Sequence, residues 1–242
     1  MAHWIQRLRA ELYYVLGPYP APFFLLWKSL HPRADHHVHA QTEIVIEGYP
    51  RSSNSFADAA FRIAQLPGQV QQAHHIHAPA QIIRGVKRGL PCVVLIRQPE
   101  DAIASSAIYD PDNPLRHHLR AYNRFYRSLL SCQDKFVTGL FDEVTRDFDQ
   151  IIQRVNERFG TAFAGFAHTE QGEQEVLDVL RKEGLRMEGE KFETRAAMPV
   201  ATRKADQKRF KEALSLPEYG PLLEEAWDLY RTYKGFADRE KA

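Results

Sequence analysis

The chain has almost no cysteine, no surplus of charge of either sign and no long apolar run. Two cysteines in 242 residues, Cys92 inside an apolar run and Cys132 in a polar stretch, cannot build a disulfide framework. They suit a reducing compartment, so a cytoplasmic location is expected. Lysine and arginine number 32 against 31 acidic residues, and the formal net charge of +1 gives no general field for DNA, RNA or anionic lipid. No nucleic-acid partner is expected, and any anion must be held by a local site. No stretch reaches the roughly 20 apolar residues of a spanning helix. The start lacks the ordered charged, apolar and small-residue regions of a secretory signal. A Walker A loop is missing, as are His-Glu-X-X-His and any cysteine pair at ligand spacing. No metal is therefore expected.

A length of 242 residues suits one α/β core, so positions 1–242 are expected to form one domain. Glu43 to Glu47 is short and β-branched and is closed by Gly48-Tyr49-Pro50, which predicts a strand ending in a turn. Phe56, Ala59, Ala60, Ile63 and Ala64 then recur at helical spacing from Asn54 to Pro67-Gly68. Val70 to His77 is a weaker strand candidate, Pro79 to Arg88 a helix, and Cys92 to Ile96 an apolar strand of the buried, parallel kind. Helices are predicted over Glu100–Ile108 and Leu115–Leu130, a strand over Phe136–Phe141, and a helix around Ile151 closed by Gly160. The last third is mostly helical, except that the polar piece Gly184 to Gln207 reads as a surface loop. This alternation predicts an α/β fold: a parallel β-sheet flanked by helices on both faces, with ligands at the carboxyl ends of the strands.

Leu12 to Leu30 holds Tyr13, Tyr14, Tyr19, Phe23, Phe24 and Trp27 but is interrupted by Pro18, Pro20 and Pro22. This aromatic segment is expected to pack over the core or border an acceptor pocket. Peripheral membrane contact through residues 12–30 is the alternative.

Two segments carry chemistry. Gly48-Tyr49-Pro50-Arg51-Ser52-Ser53-Asn54-Ser55-Phe56 lies where a buried strand gives way to a helix, so free N–H groups, the helix dipole, Ser and Asn donors and the Arg51 charge meet in one place. Val93-Val94-Leu95-Ile96-Arg97-Gln98-Pro99-Glu100-Asp101 puts an arginine at a strand end, with Ser105 eight positions later. Taken alone, a serine-rich start after a strand is usually just a helix N-cap.

Together they resemble the sulfotransferases that use 3′-phosphoadenosine 5′-phosphosulfate (PAPS), a family with a P-loop-like α/β fold. There the first loop commonly reads Pro-Lys/Arg-Ser-Gly-Thr-Thr-Trp, and a later Arg-Asn-Pro-Lys-Asp stretch has a serine eight positions after its arginine. The match is continuous from about Glu43 to Ser105 and patchy to Lys208, and positions 1–42 carry none. The resemblance implies a nucleotide-binding transferase that takes PAPS as donor and leaves adenosine 3′,5′-bisphosphate as product. Arg51 would stabilise charge on the transferring group, Ser52, Ser53, Asn54 and Ser55 would form the 5′-phosphosulfate loop, and Phe56 would stack on adenine. Arg97 and Ser105 would hold the 3′-phosphate. Arg203-Lys204-Ala205 resembles the Arg-Lys-Gly loop that closes over it. Ser53 and Ala205 stand where the family has glycine.

The acceptor's proton needs a base, and histidine titrates in the right range. In Ala73-His74-His75-Ile76-His77-Ala78-Pro79, His77 matches the family's His-X-Pro, whereas His75, 22 positions before Arg97, matches its separation. Both are candidates. Were the segment extended, His75 and His77 would share one side and His74 would face the other. The acceptor is expected to be a small molecule or glycan. Rival readings are a metal-dependent hydrolase, from the 11 histidines; a nucleotide kinase, which lacks its P-loop lysine; and a non-catalytic member of the fold.

Overall fold

The computed structural model describes residues 2–32, 36–65, 70–189, 192 and 203–241. Four parallel strands form one sheet in the order β2-β1-β3-β4: β1 Ile44–Gly48, β2 Gln72–Ala73, β3 Cys92–Ile96 and β4 Val137–Leu140. Register pairs Ile46 with Val93, and Val94 with Thr138. The two central strands are buried at every position, β3 as its uninterrupted apolar run requires and β1 with Glu47 buried among its apolar residues.

Period-two alternation divides the strand side chains between two cores. Val45, Val94 and Ile96 face a cluster with Leu119, Tyr122, Tyr126 and Tyr233. Ile44, Ile46, Val93 and Leu95 face another with Phe61, Ile151, Ile152 and Val155. On the first face lie α4 (Pro79–Lys87), α5 (Pro99–Tyr109), α6 (Leu115–Arg127), α10 (Lys204–Leu214) and α11 (Gly220–Glu240). On the second lie α3 (Asn54–Ala64), α7 (Phe141–Arg146), α8 (Phe148–Phe159) and α9 (Glu170–Glu188). The expected α/β class, with helices on both faces of a parallel sheet, is what the chain forms.

Four sequence expectations need correction. The strand at Val70–His77 shrinks to Gln72–Ala73, because His75 and His77 take left-handed backbone angles of φ 55° and 56°. The expected loop at Gly184–Gln207 is helical at both ends. Residue 184 lies within α9, where an added Cβ would stand 2.7 Å from Cε2 of the Phe192 ring. Lys204 opens α10, and 190–191 and 193–202 lie outside the described residues, as does the predicted helix stop at Pro67-Gly68. Leu130, expected in α6, belongs to a short 3₁₀ turn, and Phe141 starts α7 rather than ending β4.

The prolines of the aromatic segment separate two helices, α1 (Ala2–Leu16) and α2 (Pro20–Leu30), and do not dissolve them. Pro20 and Pro22 fall in the first turn of α2, where no intrahelical N–H is needed. Phe23, Phe24 and Trp27 are buried against Ile76, Ala78 and Ala80. The Tyr13 hydroxyl bonds the Ile76 carbonyl, so this layer clamps the segment that carries the histidines. Among the described residues no helix is long and apolar enough to cross a membrane.

Candidate functional site

The carboxyl ends of β1 and β3 open onto one large cavity of about 1510 Å³. Gly48 ends β1, and an added Cβ would meet the Leu95 carbonyl oxygen at 2.5 Å, so only glycine lets the strands stay this close at the cavity floor. The turn to α3 is tight. Arg51 and Ser53 both have φ 69°, a left-handed conformation that glycine would adopt without steric cost. Asn54 Nδ2 donates to the Tyr49 carbonyl at 3.0 Å and closes the turn. This curls the backbone so that α3 begins at the cavity.

The two motifs meet here. Arg51 Nε donates to Ser105 Oγ at 2.9 Å, and Arg97 Nη1 donates to the Arg51 carbonyl at 3.3 Å. The Arg97 guanidinium also lies over the Phe141 ring, 4.1 Å from its centre. Tyr122 and Tyr126 brace this end of β3 by donating to the carbonyls of Arg97 and Leu95, each at 2.8 Å. Arg203 is buried beside Arg51, whereas Lys204 is exposed at the cavity edge. Burial, then the neighbouring Arg203 and Arg97 charges, bring Arg51 down from the ordinary guanidinium range to about 10. Burial also lowers Arg97. Crowded, desolvated cations are a setting for an anion.

The remaining loop residues are placed differently. Ser53, Asn54, Ser55 and Phe56 line the cavity. Ser52 is fully buried, its Oγ 3.2 Å from Tyr126 Oη, so its side chain sits behind the loop. Phe56 stacks on His168 with ring centres 6.0 Å apart and packs edge-on to Phe166.

The histidines do not alternate as an extended segment would. The left-handed turns at His75 and His77 bring the His74 and His75 rings to 4.9 Å and the His75 and His77 rings to 5.7 Å. His75 has both nitrogens engaged: Nε2 lies 3.0 Å from Ser55 Oγ, and Nδ1 lies 2.6 Å from His74 Nδ1. Burial and then the adjacent histidines hold it well below its ordinary value, so it is neutral. At His77, Nδ1 lies 3.0 Å from the Gly48 carbonyl and 3.4 Å from Glu47 Oε1. Two acceptors at Nδ1 put the proton there and leave Nε2 with its lone pair. Burial pulls His77 down, but the Glu47 hydrogen bond and charge, with the Gly48 carbonyl, outweigh it and the net shift is upward.

Glu47 is the residue that sequence reasoning missed. It is fully buried, accepts from Gly48 N at 3.1 Å and Ile76 N at 2.8 Å, and so joins the strand end to the histidine segment. The available signal was a carboxylate inside an otherwise apolar strand, which needs a partner once buried. Tyr109 and Glu188 were missed as well. The Tyr109 hydroxyl donates to Glu188 Oε1 at 3.1 Å, and both line the cavity near Arg51.

No protein-family model matches the chain, and no curated protein matches it either. Among solved structures, the chain is similar to the crystal structure of mouse sulfotransferase SULT7A1 complexed with PAP, with 12% identity and a TM-score of 0.47 over 87% of this chain and 94% of that one.

Proposed function

We propose that the chain transfers a sulfuryl group from PAPS to a hydroxyl or amine of a small-molecule or glycan acceptor, with His77 as general base. The observation that carries this reading is the convergence of Arg51, Arg97 and Arg203 at the strand ends, on the same cavity as an imidazole fixed by a buried carboxylate. The clustered arginines suit a polyanionic ligand. PAPS has a phosphosulfate at 5′ and a phosphate at 3′.

In this reading the loop of Ser53, Asn54 and Ser55 and the start of α3 receive the 5′ group, while Ser52, whose N–H donates to the Tyr49 carbonyl and whose Oγ meets Tyr126, supports the turn from behind. Arg97, Ser105, Arg203 and Lys204 hold the 3′-phosphate. Phe56 offers a flat wall for adenine. Arg51 faces charge that grows on the bridging oxygen as the S–O bond breaks, so its effect is larger in the transition state than in the ground state. His77 Nε2 takes the acceptor's proton while Glu47 and the Gly48 carbonyl keep the ring oriented through Nδ1. His75 is the weaker candidate, because it must first give up Ser55 or His74.

The test is conversion of labelled PAPS across a panel of hydroxyl and amine acceptors, for the native chain and Arg51→Ala. Acceptor-dependent release of the bisphosphate, lost mainly from turnover in Arg51→Ala, supports the reading. A change confined to the Michaelis constant for PAPS refutes the role given to Arg51.

A further inference from the structure

We propose that Asp58, His74 and His75 form a site for one divalent transition-metal ion of the zinc class at the edge of the cavity. His74 and His75 are chain neighbours, and in an extended segment their rings would face opposite ways. The left-handed turn at His75, φ 55°, points both Nδ1 atoms at one spot instead. Such backbone strain in a non-glycine residue concentrates at ligand-binding positions. Asp58 on α3 supplies a third donor, with Oδ1 3.5 Å from His74 Nδ1. All three donor atoms lie within 4.8 Å of one another, and all three residues line the cavity.

The donor set selects the metal. Two imidazoles and one carboxylate suit zinc and its first-row neighbours, whereas magnesium and calcium prefer oxygen alone. Ligands about 2.0–2.1 Å from a tetrahedral ion stand roughly 3.3 Å apart. The Asp58–His74 spacing is already near this, and the 2.6 Å between the two Nδ1 atoms must open by about 0.7 Å. On binding, the ring that holds the shared proton on Nδ1 releases it there and regains one from solvent on its Nε2, so both rings stay neutral and the ion sits between the two Nδ1 lone pairs. The supporting shell exists: Gln72 Nε2 donates to Asp58 Oδ1, and Arg62 Nη2 lies 3.1 Å from Oδ2.

A metal on His75 Nδ1 fixes the remaining proton on Nε2, which then donates to Ser55 Oγ. Thus metallated, His75 cannot accept a proton, and the base role falls to His77. The site does not depend on the sulfuryl-transfer reading and is tested without an activity assay. Chelator-treated full-length protein is titrated with Co²⁺, followed by its visible absorption, and with Zn²⁺, followed by calorimetry and melting temperature. The expected result is one equivalent, with the intense absorption of tetrahedral cobalt and a raised melting temperature. His74→Ala and Asp58→Asn should each weaken binding by about 100-fold or more, at or beyond the usual effect of removing a supporting partner. His117→Ala, in a separate histidine pair, should bind as the native chain does. His74 is partly exposed, so His74→Ala should keep its fold, with circular dichroism as the check. The proposal is overturned if the native chain binds no ion with tetrahedral absorption, or if His74→Ala binds as tightly as the native chain. Either result would leave a hydrogen-bonded cluster and no metal site.

Discussion

Arg51→Met should make the ligand-free protein more stable while weakening its hold on a bisphosphate nucleotide. Lowering a guanidinium from its ordinary range to about 10 corresponds to about 3 kcal/mol of unfavourable surroundings for its charge. Burial is the largest cause, and repulsion from Arg203 and Arg97 adds to it. The sign follows from linkage. Below about 10 the group is charged both folded and unfolded, so the cost is fully present at neutral pH. It is relieved only as pH climbs from about 10 towards the ordinary guanidinium range. Methionine keeps a stem of similar reach but gives up the bond to Ser105, a loss of about 0.5–1.5 kcal/mol. The net gain is about 1.5–2.5 kcal/mol, which at this chain length raises the melting temperature by roughly 3–10 °C. Differential scanning calorimetry with and without adenosine 3′,5′-bisphosphate reads both effects. The added stabilisation by ligand should shrink in the variant. A ligand-free variant that melts lower than the native chain, with unchanged stabilisation by ligand, would refute the view of Arg51 as a strained anion-binding cation.

Two further outcomes follow from the histidine segment. His77→Ala should cost about 100-fold in turnover with bisphosphate affinity nearly unchanged, and His75→Ala should be mild; the reverse pattern in steady-state assays would move the base to His75. Glu47→Gln removes the charge that helps hold His77 up against burial, so the acid limb of the turnover profile should shift to lower pH, because the base must be neutral to act. A rate profile across pH in which the limb stays in place would separate Glu47 from the base.

What could be read without coordinates tracks how strongly local chemistry dictates structure. The runs around Ile44–Ile46 and Val93–Ile96 have only one good use, as buried strands, and both appear as such. The residues after them were legible as a strand-to-helix turn, and the contact between Arg51 and Ser105 joins two segments that were singled out separately. Left-handed angles at Arg51, Ser53, His75 and His77 were not legible, because those residue types do not announce them as glycine does. That hidden geometry decides which rings meet, so the His74–His75 pairing and its neighbour Asp58 escaped notice. Glu47 and Arg203 show the limit for charged residues. One sits at a strand end and the other before a helix, and tertiary packing alone buries both.

The central claim is that the loop before α3 and the end of β3 together grip a nucleotide with phosphates at both 3′ and 5′. Calorimetry of the native chain and Arg97→Ala with adenosine 3′,5′-bisphosphate and adenosine 5′-phosphate tests it without knowledge of the acceptor. The account predicts that the bisphosphate binds the native chain about 10- to 100-fold more tightly than the monophosphate, the worth of one charge-assisted phosphate contact, and that Arg97→Ala abolishes the difference. Equal affinity of the native chain for the two nucleotides would contradict it.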